Sequence, residues 1–477
     1  MRASGLLVLL LAFAGVARSA DAQCVYVTGA SPLGTHTTEI AVVRDAGTTT
    51  MTIASRYEGP AQPFAIVVPI DAAITAADVV SISRDSFLAL SLEDAPRLVE
   101  YFEPDPCGHY EEHSPRKRTG PKVAARSGAR DGGAPLATVT APAEYEVVVP
   151  SAAEAADLTR WLMNQGYLVS DEAAGLLEPL AKRGAHFVVA RVDPNKLEFE
   201  AGRASLTPLR VRWTAPTFAL PSFAGVEVVV HALGRRQRYE AMTQHDVSVP
   251  TNVDVRVSAK DDFDAAYAAF FTDVALRVPQ TVVTEYSRAL GACDPCTGAE
   301  LTPRDLAALG ADASDEWVVT RLHTSNVRGD VVLGPAPPIA GGREFRDGMG
   351  ELEQGTHTSA SNQFQARYAV RHPWAQPITC DHPVRGRWGP PPQSGVVAPI
   401  VAHAITAGTT RPDGLGLGVE AATPAAARDP LQIAQPATTR PSGCTTSGSD
   451  PAALWAPIVA WIVRRRRRRE VVSLSDA

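Results

Sequence analysis

The chain has 477 residues, of which 45% are hydrophobic, 6% aromatic and 20% charged. That apolar share excludes a globally disordered, collagen-like or polytopic membrane chain and suits one large domain or two to three ordinary ones. With 45 Lys plus Arg against 52 Asp plus Glu, the formal charge of −7 argues against a nucleic-acid partner, which needs a basic face.

In chain order, residues 1–22 read as a secretory signal. Arg2 is the positive n-region, residues 6–16 are the apolar h-region, and Ala20-Asp21-Ala22 is a small-x-small cleavage site. Such a short apolar run falls well below the roughly 20 helical residues needed to span a hydrocarbon core. The folded body is placed at residues 23–382. It opens with a hairpin pattern, 37–44 and 48–57, around Asp45-Ala46-Gly47. A strand at 64–70 follows, then a helix over 85–102 that Pro96 ends or kinks. Residues 104–143 carry Pro, Gly and charge without an apolar period and read as an exposed insertion.

The strand pattern restarts at 144–149. Ser151 and Glu154 form a capping box for a helix bearing Leu158, Trp161 and Leu162, and a second helix is expected over 171–183. Strands are predicted at 186–192, 206–213, 226–232, 253–257, 316–323 and 365–371. Helices are predicted at 261–278 and after Thr302, with Pro303 in the first turn. Grouped strands with a few intervening helices predict an α+β fold with a mostly antiparallel β-sheet. From 383 to 450 the chain is rich in Pro, Gly, Ala and Thr and reads as a disordered C-terminal spacer. A short hydrophobic segment at 452–463 and a basic tail at 464–477 end the chain.

That tail begins with Arg464, Arg465, Arg466, Arg467, Arg468 and Arg469, placed as a stop-transfer signal behind an apolar run with Trp455 and Trp461. Setting aside residues 1–20 and everything from Arg464 removes eight cations and two anions. It leaves 37 basic against 50 acidic side chains, so the exported body stands at −13. Gly443-Cys444, residues 454–463 and the arginine run together resemble the myxobacterial C-terminal sorting tail (MYXO-CTERM). The resemblance implies processing near Cys444 and display at the cell surface; a retained single-pass anchor is the alternative.

Four stretches of the body resemble the bacterial "domain of unknown function 2330" family. They are Tyr57-Glu58-Gly59 with 64–69; Tyr145-Glu146-Val147 with Leu158, Trp161-Leu162 and Gly166-Tyr167; Cys293-Asp294-Pro295-Cys296 with Leu306 and Leu309-Gly310; and Thr320-Arg321-Leu322-His323 with 364–368 and Arg371-His372. The resemblance spans residues 24–382. It implies a shared fold and export, and no particular chemistry.

Among groups able to carry chemistry, Cys293 and Cys296 stand out. In an oxidising compartment they read as a structural disulfide, with a redox pair or half of a zinc site as alternatives. Cys380 and His382 would be the other half of such a site. Cys24, Cys107 and Cys380 are further disulfide candidates. His109 to His113 match the H-x-x-E-H pattern, but the surrounding prolines and Gly108 argue against the helix that pattern needs. His323 and His372, beside Arg321 and Arg371, read as core or surface histidines. No P-loop, dinucleotide fingerprint or Gly-x-Ser-x-Gly elbow occurs in a supporting context, so no cofactor, metal or catalytic residue is assigned. The sequence therefore predicts an exported protein of the cell envelope or surface, anchored in the membrane by its C-terminal segment. It would be a binding or structural component meeting an envelope or extracellular polymer or protein ligand. The alternative is an envelope thiol-disulfide oxidoreductase using Cys293 and Cys296.

Overall fold

The computed structural model describes residues 25–28, 35–58, 60–108, 144–200, 203–215, 218–220, 227–248, 253–278, 280–292, 301–314, 316–325, 331–342, 355–389 and 400–401. Alternation along the strands explains its layers, because successive side chains of a strand point to opposite faces. In Thr35–Asp45, Ile40 and Val42 point one way, whereas Glu39, Ala41 and Val43 point the other. Both faces are buried, so each needs its own covering layer.

The strand lies inside a 12-stranded sheet. Its main path runs His357–Thr358, Ile339–Gly341, Gln363–Gln365, Thr281–Ala289, Trp317–Ser325, Glu227–Arg235, Thr35–Asp45, Thr48–Glu58, Leu209–Thr214 and Val79–Ser81. The Ile40 face packs on a four-stranded sheet of Val25–Thr28, Phe64–Ile70, His186–Val192 and Tyr145–Val148, through Phe64, Ile66, Val68 and Val188. The far side of that smaller sheet offers Ala65, Val67, Phe187 and Val189 to the helices Leu158–Asn164 and Asp171–Lys182. The Glu39 face is roofed by the helices Arg84–Asp94 and Pro303–Leu309, through Phe87, Leu90, Leu306 and Leu309. Further along that sheet, the helix Phe263–Arg277 packs Phe270 and Phe271 near Val283 and Phe364. The order of layers is helix, sheet, sheet, helix.

The sheet is mixed: most of its described pairings are antiparallel, as expected, and three are parallel. Glu227–Arg235 runs parallel to Thr35–Asp45 over eight residues at the sheet centre, and antiparallel to Trp317–Ser325 on its other side. A parallel neighbour needs a long crossover, and the chain between residues 45 and 227 supplies it. Three local readings also change. The helix expected over 85–102 stops at Asp94, because Pro96 cannot continue it, and Arg97–Phe102 becomes a strand. The helix opened by the Ser151 capping box breaks into Ala152–Ala155 and Leu158–Asn164. The strand expected over 253–257 shrinks to Val253–Asp254, followed by a 3-10 turn at Val257–Lys260. Ile400–Val401, within the stretch read as a spacer, pairs with Leu98 and Arg97. Residues 109–143 and everything beyond 401, including the apolar segment and the arginine run, lie outside the described residues.

Candidate functional site: a buried ion ladder ending at a cleft

The Glu39 face of the large sheet is not wholly apolar. Strand register places Val229 beside both Glu39 and His323, and His231 beside Arg321. Period-two alternation therefore gathers Glu39, His231, Arg321 and His323 on one face beneath the helices. Two more carboxylates join them. Asp94 is the last residue of the helix Arg84–Asp94. Glu285 sits at a break in the register between Thr284 and Tyr286, where the strand bulges. Such an extra residue re-aims a side chain out of the normal alternation.

These groups form one continuous chain of contacts. Glu227 Oε1 lies 2.7 Å from His323 Nε2, and His323 Nδ1 lies 2.6 Å from Glu285 Oε1. Arg321 donates through Nε to Glu285 Oε2 at 2.6 Å and through Nη1 to Asp94 Oδ1 at 3.0 Å. The other oxygen of Asp94 is 2.6 Å from His231 Nδ1, and His231 Nε2 is 3.4 Å from Glu39 Oε2. Asp94, Arg321 and Glu285 are fully buried, and Glu227 opens one end at 29% side-chain exposure. The Tyr267 hydroxyl donates to Glu285, and the Phe271 ring stacks on His323 with centroids 3.4 Å apart. Arg321 Nη2 is buried without an acceptor among the described residues.

Alternating signs hold the charges in place. Burial alone would raise Glu39 and Glu285. The hydrogen bond and charge of His231, with Arg56 and Arg321, outweigh it for Glu39, whose pKa falls to about 2. His323 and Arg321 do the same for Glu285, also to about 2. Burial would lower His323, but the charge of Glu285 and the hydrogen bonds to Glu227 and Glu285 raise it to about 9. His231 is likewise raised, with Asp94 overcoming its burial. His323 is thus a cation at neutral pH, and every interior carboxylate has a cationic neighbour. A carboxyl at about 2 stays ionised at any physiological pH, so it suits holding a donor better than cycling a proton.

The ladder ends at an open cleft of about 190 Å³ that Glu39 lines together with Arg56, Phe87, Leu88, Leu206 and Pro208. Ser91 Oγ donates to Glu39 Oε2 at 2.7 Å, and Arg56 Nη2 stands 3.9 Å from Oε1.

Of the groups singled out in the sequence, His323 and Arg321 are in the ladder. His372 is elsewhere, 2.7 Å from Glu100 Oε2 and stacked on Phe102. Cys107 and Cys380 form a disulfide across 273 residues, with Cα atoms 5.6 Å apart. Cys380 is therefore spent, which removes it from the zinc half-site considered with His382. Cys24, Cys293, Cys296, Cys444, the 109–113 motif and Arg464 to Arg469 lie outside the described residues. Among the described residues no His, Cys, Asp and Glu cluster has metal-binding geometry, and no helix is long and apolar enough to cross a membrane. Sequence reasoning missed Glu39, Asp94, Glu227, His231 and Glu285. The available signal was a lone polar residue inside an apolar run, as in Val228-Val229-Val230-His231-Ala232-Leu233.

A family model described as "Uncharacterized protein conserved in bacteria (DUF2330)" matches residues 18–335. The matched span holds every member of the ladder and stops short of residues 364–372, which the sequence resemblance had included. No curated protein and no solved structure matches the chain.

Proposed function

We propose, from the premise that the chain belongs to the DUF2330 family, that it is an exported bacterial envelope protein whose folded body binds a ligand. The observation that carries export is the Cys107–Cys380 disulfide. Disulfides persist in exported proteins and are reduced in the cytosol. The signal-like residues 1–22 agree with that compartment. The Gly443-Cys444, apolar and arginine order at the C-terminus suits a tail that is held in the membrane and then processed for surface display. The binding role draws on a cleft whose floor is a permanently ionised, nearly buried carboxylate.

Export is tested on intact cells by antibody labelling of the body and by alkylating free thiols before and after reduction. Surface label with Cys107 and Cys380 blocked until reduction is expected. Cytoplasmic protein with both thiols free overturns the reading. Mass spectrometry of the mature C-terminus decides whether the tail is cut near Cys444, the outcome expected of a sorting signal, or retained whole.

A further inference from the structure

After the strand Arg367–His372 the chain doubles back and is fastened to the body. That strand runs parallel to Arg97–Phe102 and in register with it, His372 opposite Phe102. The chain then turns and returns along the other edge of Arg97–Phe102. Gly389 exchanges both backbone hydrogen bonds with Phe102, at 2.9 and 3.0 Å, and Ile400 and Val401 pair antiparallel with Leu98 and Arg97. The turn closes over one carboxylate. Glu103, its side chain 2% exposed, accepts from the backbone amides of Trp374 and Gly386 at 2.9 and 2.8 Å and pairs with Arg385 at 2.9 Å. Trp388 packs against Tyr101 and Ala369, with the Arg371 guanidinium 5.1 Å from its ring centroid.

The Cys107–Cys380 bond crosses this turn. It lies past the C-terminal ends of both parallel strands, since Cys107 follows Phe102 and Cys380 follows His372. Tension applied beyond Val401 first meets Ile400–Val401, a two-residue pairing at the edge of its sheet, then the Gly389 bridge and the Glu103 contacts. These are non-covalent and individually modest, and they are loaded one after another, so they open in turn. At Cys380 the load meets a covalent bond. From there it divides between the strand Arg367–His372 and, through the disulfide, Arg97–Phe102. Two parallel neighbours are then pulled from the same end in the same direction, so neither slides along the ladder they share.

We propose that the return segment, with its described parts 373–389 and Ile400–Val401, is a load-limiting strap. Tension from the C-terminal side lengthens it as far as Cys380, where the Cys107–Cys380 bond passes the load to two strands of the sheet. The chain from Cys380 to Val401 reaches at most roughly 75 Å at 3.3–3.6 Å per residue, which caps the travel. The inference rests on the anchored placement proposed above, which supplies the tension.

Force spectroscopy on the mature, disulfide-intact protein tests it. One handle sits at the C-terminus and the other on an azide-bearing amino acid at position 163, where Met163 is 51% exposed. The expected trace is a low-force lengthening of no more than roughly 75 Å, then a stop that holds to higher force. Glu103→Gln is expected to lower the force of the first step and to keep the stop. Cys107→Ser with Cys380→Ser is expected to lower the force at which the stop gives way. Should that variant fail to fold, reductant added to the parent already held under low force gives the same reading. A parent that unravels without a stop overturns the inference. So does a stop that holds to the same force after reduction, or a first step that Glu103→Gln does not alter. Traces from purified protein judge the strap and labelling of intact cells judges export, so either reading can fail with the other intact.

Discussion

His231 and Arg321 face each other across adjacent strands and divide one carboxylate, Asp94, between them, one oxygen apiece. Asp94 ends its helix, where a carboxylate meets the unfavourable end of the helix dipole. The Arg321 charge and the contact with His231 offset that penalty and so tie the helix Arg84–Asp94 to the sheet centre. The linkage fixes how the helical layer sits on the sheet more than it adds net stability, because buried pairs are costly to desolvate.

Removing one partner is a different matter, since the others are left charged and dry. Arg321→Met is expected to destabilise the body by about 3–5 kcal/mol, read from urea unfolding. Adding Asp94→Asn and Glu285→Gln to that variant is expected to recover a large part of the loss. A single variant as stable as the parent would show that the ladder is dispensable.

The ladder also sets a pH window. His323 rises from 6.5 to about 9 on folding, so its contribution is complete below about 6.5 and is lost as pH climbs through 9. His231 shifts in the same direction. Glu39 and Glu285 fall from 4.5 to about 2, so theirs is complete above about 4.5 and is lost as pH drops toward 2. Thermal stability should peak between about pH 4.5 and 6.5 and decline on both sides. The shift at His323 corresponds to about 3 kcal/mol between the acid plateau and pH 10. His323→Gln should flatten the alkaline limb, and an unaltered limb would assign it to other groups.

Much of the fold was legible because its signals are local. The hairpin at Thr35–Asp45 and Thr48–Glu58 follows from alternation around Asp45-Ala46-Gly47, and the Ser151 and Thr302 capping boxes mark helix starts. The site was far less so. Glu39, Asp94, His231, Glu285 and Arg321 come from five separate segments, and each alone reads as a stray polar residue. They meet through a parallel pairing, antiparallel pairings, a bulge and the end of a helix. The pairings and the bulge are properties of strand register, which a single sequence encodes only through distant partners.

Two glycines separate backbone cost from packing cost. Gly310 ends the helix Pro303–Leu309 at φ 96°, and a Cβ there would lie 2.6 Å from Thr50 Cγ2. Gly166 has φ 89° with nothing within 4 Å of the same position. Gly166→Ala should cost about 1–2 kcal/mol for the left-handed conformation alone. Gly310→Ala should cost about 1–3 kcal/mol more, from the clash. Equal losses in chemical denaturation would mean that Thr50 moves aside freely.

The Cys107–Cys380 bond makes one ring of most of the folded body. Cys107→Ser with Cys380→Ser should lower stability by about 2–4 kcal/mol, and reductant should have the same effect on the parent and none on the double variant. A parent insensitive to reductant would place this bond outside the stability of the body.

The large sheet tapers at both ends of its main path, to the two residues His357–Thr358 and the three residues Val79–Ser81. Long bare edges recruit strands from neighbouring molecules, and very short ones give them little to pair with. Copies of the protein that collide edge to edge therefore find little bare backbone to pair. The taper lets a wide sheet stay crowded among its own kind without zipping into fibres.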